Sequence, residues 1–321
     1  MQSTTGKTTT TAPLSRLLAA LGLVAAVAAG AAGAAPLVTH AAAPRAVRPI
    51  DVVAGENEYG DVIKQIGGSH VSVTSVISNP NTDPHTYESS TRDAGAVARA
   101  QLIVVNGLGY DDFMAKLENA SPSKNRVVID VGKVFGRKAG DNPHQWYDPT
   151  TMPRVASLVA DQLSKDDPAG KMAFQANLKT FDASLALYRS RLAAIKRRFA
   201  GTPVAITEPV YGYALNAMGL NVLTPRPFAL AIQEGNDPSP QDAQAEENLF
   251  KQNKVKLFAY NQQAVAPITI KLLPLARAHH IPVIGVYETE PLFKSYQQWT
   301  VSEADAVTLA LSKGVSTETI T

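Results

Sequence analysis

Two histidines and two carboxylates have the residue types and placement to hold a metal ion. His85 stands in Asp83-Pro84-His85-Thr86-Tyr87-Glu88, and His144 in Asn142-Pro143-His144-Gln145-Trp146-Tyr147-Asp148. Each follows a proline turn and precedes aromatic residues and an acid. Glu208 in Ile206-Thr207-Glu208-Pro209 and Glu288 in Val286-Tyr287-Glu288-Thr289-Glu290 each come just past a β-branched run, with Glu290 as a rival to Glu288. Imidazole with carboxylate suits a borderline-to-hard divalent cation. In open α/β sheets, ligands collect outside the carboxyl ends of the strands. The pattern points to one ion held between two lobes. Each imidazole would need an acceptor on its second nitrogen, which nearby Asn, Asp or backbone carbonyl groups can supply.

The other histidines fit this chemistry less well. His40 falls in the alanine-rich start, and His70 sits beside the Gly67-Gly68 turn. His279 and His280 are adjacent on a helical stretch and would point about 100° apart, so they read as a helix C-terminus.

The elements that must position the four residues alternate short β-branched runs with helical stretches. Strands are expected at Ile50–Ala54, Val71–Ile77, Leu102–Asn106 and Arg126–Val131. A second set follows at Pro203–Thr207, Asn221–Leu223, Lys256–Tyr260 and Pro282–Tyr287. Such alternation implies an α/β fold of two βα lobes with mostly parallel sheets. Ser239-Pro240 has the form of a helix start, with Ser as cap and Pro at the first helical position. Between the lobes, residues 169–200 lack internal Pro. Phe174, Leu178, Phe181, Leu185, Tyr188, Leu192 and Ile195 recur there at helical spacing. That spacing predicts a single long, rigid α-helix of about 45 Å joining the lobes. The expected organisation is therefore a signal over 1–43, a first lobe over 44–168, the linking helix over 169–200 and a second lobe over 201–321.

The signal rests on Lys7 and Arg16 before an apolar, alanine-rich run ending at Ala43. The run is weakly hydrophobic for a retained membrane anchor. The whole chain has 30 basic and 28 acidic residues, and removal of Lys7 and Arg16 leaves 28 of each. A near-neutral domain has no electrostatic footprint for nucleic acid or an acidic membrane surface. Cysteine is absent, which excludes disulfides, thiolate zinc sites and iron–sulfur clusters. On the same ground an unanchored periplasmic protein without a lipoprotein cysteine is expected.

Enzyme signatures are few. Gly107-Leu108-Gly109 lacks the third glycine of a dinucleotide loop, because Asp112 takes that place; Asp111 reads as the cap of the next helix. A metallohydrolase would need an open coordination position and a base such as Glu290 or Asp148, and four protein ligands leave no such position.

The His85 and His144 motifs, Asn106-Gly107-Leu108-Gly109-Tyr110-Asp111-Asp112 and the long central helix together resemble the zinc/manganese solute-binding proteins of bacterial ABC importers, over about Ile50 to Ser312. The resemblance implies a rigid-helix, two-lobed monomer that is not an enzyme. It would carry Mn²⁺ or Zn²⁺, with Fe²⁺ as a further cargo, to an ABC permease; a surface adhesin on the same scaffold is the other role. By motif, His85 and His144 match the first two family ligands. Glu208 falls where zinc-type members have histidine and manganese- or iron-type members glutamate. Glu288 falls near the family aspartate, and no histidine-rich loop lies between Asp130 and Asn142. Two carboxylates each binding through two oxygens would give six contacts with the imidazoles, favouring Mn²⁺ or Fe²⁺. Acid should weaken binding, since the ligating imidazole is neutral.

Overall fold

Eight short strands form two four-stranded sheets in the computed structural model, which describes residues 48–79 and 87–320. The expected signal and His85 lie outside the described residues. The first sheet contains β1 (Ile50–Glu56), β2 (Val71–Ile77), β3 (Leu102–Val105) and β4 (Val127–Asp130), in the order β2-β1-β3-β4. The second contains β5 (Pro203–Ile206), β6 (Asn221–Val222), β7 (Phe258–Asn261) and β8 (Val283–Val286), in the order β6-β5-β7-β8. All pairings within the two sheets are parallel. The two lobes thus repeat one topology, and in each the strand order reverses between the first and third strands. Ligand crevices open at such a reversal.

Parallel strands covered on both faces read as unbroken apolar runs, because neither face meets water. Successive side chains still go to opposite faces. Val52, Ala54, Leu102 and Val104 enter a large core that also takes Val204, Ile206, Ala259, Ile284 and Val286 from the second sheet. Val53, Ile103 and Val105 face a smaller cluster on the outside of the first lobe. Ala205, Phe258, Tyr260 and Val283 do the same in the second. One shared core therefore joins the inner faces of both lobes.

The stretch expected as one helix forms two in succession, Lys171–Ser184 and Ala186–Phe199. They meet at Leu185, whose φ of −77° and ψ of −4° tighten the backbone without leaving the right-handed region. Neither Pro nor Gly marks this point, so the sequence carries no signal for it. The expected apolar face is present: Phe174, Phe181, Leu185, Tyr188, Leu192 and Ile195 are buried in the shared core, and partly buried Leu178 packs against it. The Ser239 side chain accepts the Asp242 N–H and Pro240 opens the helix, as its sequence predicts.

At the outer edge of the second sheet, Thr317 pairs with β8 through Gly285 N–H to Thr317 O, 2.8 Å, and Thr317 N–H to Val283 O, 2.8 Å. A Cβ at Gly285 would lie 2.0 Å from the Glu318 carbonyl oxygen, so this close approach requires glycine. Among the described residues no helix is long and apolar enough to cross a membrane.

Candidate metal centre

Glu208 and Glu288 each lie two residues beyond a strand, β5 and β8 respectively. Glu208 occupies the cap position of the turn Pro209–Tyr211 without a side-chain capping bond, so its carboxylate is available elsewhere. Gln263 fixes Glu288 through the backbone: its Oε1 accepts the N–H of Glu288 at 2.5 Å and of Thr289 at 3.0 Å. Asn261, the last residue of β7, donates its side-chain amide to Glu208 Oε1 and to Glu288 Oε1, the latter at 2.7 Å.

His144 reaches the same place on a loop. Asn106, next after β3, ties that loop down by donating to Pro143 O at 2.9 Å, while its own carbonyl accepts from Gln145 Nε2 at 2.8 Å. Tyr110 and Trp146 flank the imidazole edge-on, with ring centroids 5.7 and 5.4 Å away. The Tyr147 hydroxyl beyond it lies 2.8 Å from Tyr287 O and 2.7 Å from Glu303 Oε1, docking the loop on the second lobe.

His144, Glu208 and Glu288 are fully buried, and one donor atom from each lies within 4.8 Å of the others. The His144 tautomer follows from its partner. Asn142 Nδ2 donates to Pro209 O at 2.8 Å, so its Oδ1 is the end that accepts from His144 Nδ1, at 2.7 Å. Nε2 of the neutral ring then presents a lone pair to Glu288 Oε2, 3.3 Å away. Two donors about 2.0–2.1 Å from one tetrahedral ion stand roughly 3.3 Å apart. Two electron-rich atoms facing each other in a buried site need a positive charge between them, either a proton on Nε2 or a bound cation. Tyr110 also donates to Glu288 Oε2, at 3.0 Å, and so joins the lobes at this point.

The rivals stand aside. Glu290 is not one of the three converging residues; its backbone N–H donates to Asn57 Oδ1 at 2.9 Å and its carbonyl accepts from Asn57 Nδ2 at 2.8 Å. Burial, then the charges of Asp61 and Glu58, push its carboxyl up to about 10, so it is a neutral acid at pH 7. Asp148 is occupied by Arg137 at 2.8 Å and by Thr150. Asp111 holds the expected cap position but makes no capping bond; it accepts the N–H groups of Asn106 at 2.7 Å and Gly107 at 2.8 Å instead. Burial of that carboxyl raises it to about 7. His70 pairs with Asp167 at 2.7 Å, and His279 ends the helix Pro267–Ala278.

Sequence reasoning missed several groups around the centre. Asn142 supplies the acceptor expected for the imidazole, but Asn261 and Tyr110 carry no charge, and a search for ionisable ligands passes over them. Asn261 had a signal nonetheless, because it ends the run Leu257-Phe258-Ala259-Tyr260 as Glu208 and Glu288 end theirs. Glu56 at the end of β1 and Glu58 in the first turn of the helix Asn57–Gly67 are fully buried. Burial first holds both well above the usual carboxylate range, helped by Asp111 for Glu56 and by Glu288 for Glu58.

Known proteins share this architecture. FpvC from Pseudomonas aeruginosa, solved in complex with Mn²⁺, superposes with a TM-score of 0.69 at 20% identity, covering 83% of this chain and 99% of that one. The metal ABC transporter substrate-binding lipoprotein ScbA of Streptococcus cristatus is 29% identical over 145 residues, 41% of this chain and 46% of ScbA. The chain thus spans about half the length of that relative. The manganese ABC transporter substrate-binding lipoprotein PsaA of Streptococcus anginosus is 25% identical over 224 residues, 64% of this chain and 70% of PsaA. Both relatives are named lipoproteins, which corrects the expectation of an unanchored periplasmic protein. A periplasmic or extracellular location agrees with these names; freedom from a lipid anchor does not. The family description "ZnuA: Zinc-uptake complex component A periplasmic" matches residues 52–310, well over half of the sequence, and the chain belongs to that family.

Proposed function

We propose that this protein captures one divalent transition-metal ion between its lobes and hands it to an ABC permease, acting as a monomeric carrier and not as an enzyme. His144, Glu208 and Glu288 are its ligands, with His85 as the fourth. Residues 44–168 and 201–321 are the ligand-bearing lobes, and 169–200 the helical connection. The observation that carries this reading is the buried convergence of His144, Glu208 and Glu288, with the His144 lone pair turned inward by Asn142. Two neutral imidazoles and two carboxylates balance a divalent charge, so the bound ion needs no further counter-ion. The relatives' names, which speak of manganese and of metal transport, support the cargo class.

The test is metal content and competition. Metal-free protein titrated with Zn²⁺, Mn²⁺ and Fe²⁺ should bind one equivalent, and Glu208→Ala and His144→Ala should each abolish tight binding. Undiminished binding by both variants would contradict the ligand set. Turnover of model esters or phosphates by the loaded protein would favour a hydrolase instead.

A further inference from the structure

Asn261 is fully buried and its amide can sit only one way round. Oδ1 accepts the N–H of Gln263 at 2.9 Å, so Nδ2 is the end turned to the acids, while the backbone N–H donates to Thr207 Oγ1 at 3.0 Å. A side-chain amide nitrogen has two hydrogens. Here one goes to Glu208 Oε1 and the other to Glu288 Oε1. The two oxygens of Glu288 are thereby divided: Oε1 belongs to Asn261, and Oε2 faces His144 Nε2 and the Tyr110 hydroxyl.

We propose that Asn261 is a specificity-determining residue that engages Oε1 of both carboxylates, limits each to one oxygen toward the cation, and so tilts the site to four-coordinate Zn²⁺ over Mn²⁺. The proposal rests on the ligand set above and reverses the cargo preference drawn from the sequence. Two imidazoles with two carboxylates binding through both oxygens make six contacts; the same groups with one oxygen each make four. Zn²⁺ is satisfied by four nitrogen and oxygen ligands in a tetrahedron. Mn²⁺ belongs with the hard cations that favour oxygen-rich octahedral sites. Oriented partners of ligating carboxylates typically change metal affinity about 10–100-fold. An amide shared by two carboxylates at once is placed to act on both.

Cobalt(II) is the probe, since its visible absorption is intense in four-coordinate sites and weak in six-coordinate ones. The unaltered protein loaded with Co²⁺ should give the intense spectrum. Asn261→Ala and Asn261→Ser, checked by thermal melting, should weaken it and lower the ratio of Zn²⁺ to Mn²⁺ affinity by about tenfold or more. A weak, six-coordinate spectrum from the unaltered protein would overturn the proposal even if neither variant folds. So would an unchanged affinity ratio in a folded variant. Glu208→Ala separates the two levels. If it binds Co²⁺ as tightly as the parent, the ligand set itself fails; if it loses Co²⁺ while the parent spectrum is six-coordinate, only the role of Asn261 fails.

Discussion

The two lobes share a strand order yet deliver their proposed metal ligands in opposite ways. The second lobe places Glu208 and Glu288 two residues past β5 and β8, and Asn261 at the end of β7 between them. Three adjacent parallel strands thus fix three polar groups with almost no intervening chain. The first lobe places His144 well beyond β4, after the short helix Val131–Val134 and a loop. That loop depends on side chains, Asn106 and Asn142 foremost, to hold its course. Strand ends are rigid platforms, and loops are where low-stability motions concentrate. The acids therefore stand on strand ends as the preformed half of the site, and the imidazole half depends on a loop held by side chains.

The contrast can be broken from either side. The largest effect is expected from the preformed half. Glu288→Ala removes a proposed ligand and the Tyr110 contact together, and metal affinity measured by competition should fall by more than about 100-fold, beyond what loss of an orienting partner causes. Stability should follow a buried acid of the same lobe that lies outside the cluster of ligands. Glu246 is fully buried, with one oxygen accepting from Thr224 at 3.2 Å and the other without a hydrogen-bond partner among the described residues. Burial pushes its carboxyl up to about 8, from an ordinary 4.5. The folded chain keeps a proton that the unfolded chain gives up. This contribution is full below about pH 4.5 and is lost as pH rises toward about 8, at about 1.4 kcal/mol per pH unit. Urea midpoints of Glu246→Gln should lose that downward slope and exceed those of the parent at about pH 8.

On the loop side, Asn142→Ala frees the His144 ring and its tautomer. Affinity should drop by about 10–100-fold while the fold persists. An effect as large as that of Glu288→Ala would mean that both halves are equally preformed. The smallest change is Tyr110→Phe, which deletes one hydrogen bond between the lobes, 3.0 Å long, to Glu288. At the low end of its range a bond to a charged group contributes about 1.5 kcal/mol, so stopped-flow metal release should quicken by about tenfold.

The same contrast explains what the sequence could reveal. The central strands, buried on both faces, announce themselves as apolar runs, and all eight expected strands, partly exposed edge strands included, are present within a few residues. An acid directly behind such a run is conspicuous, and Glu208 and Glu288 meet in the structure as the pattern implied. His144 was legible through its turn and aromatic neighbours, not through any periodicity. Asn261 was overlooked because a neutral amide at a strand end resembles ordinary turn chemistry. The interruption at Leu185 arises from a ψ of −4° at a residue with no helix-breaking character. Asp111 looked like a helix cap, but two backbone N–H groups of its own loop took the carboxylate first.

The most direct test is an anomalous-scattering map from crystals of the zinc-loaded protein. One peak about 2.0–2.2 Å from His144 Nε2 and from an oxygen of both Glu208 and Glu288 is the expected result. A fully occupied peak elsewhere, with these three side chains left facing one another, would contradict the account.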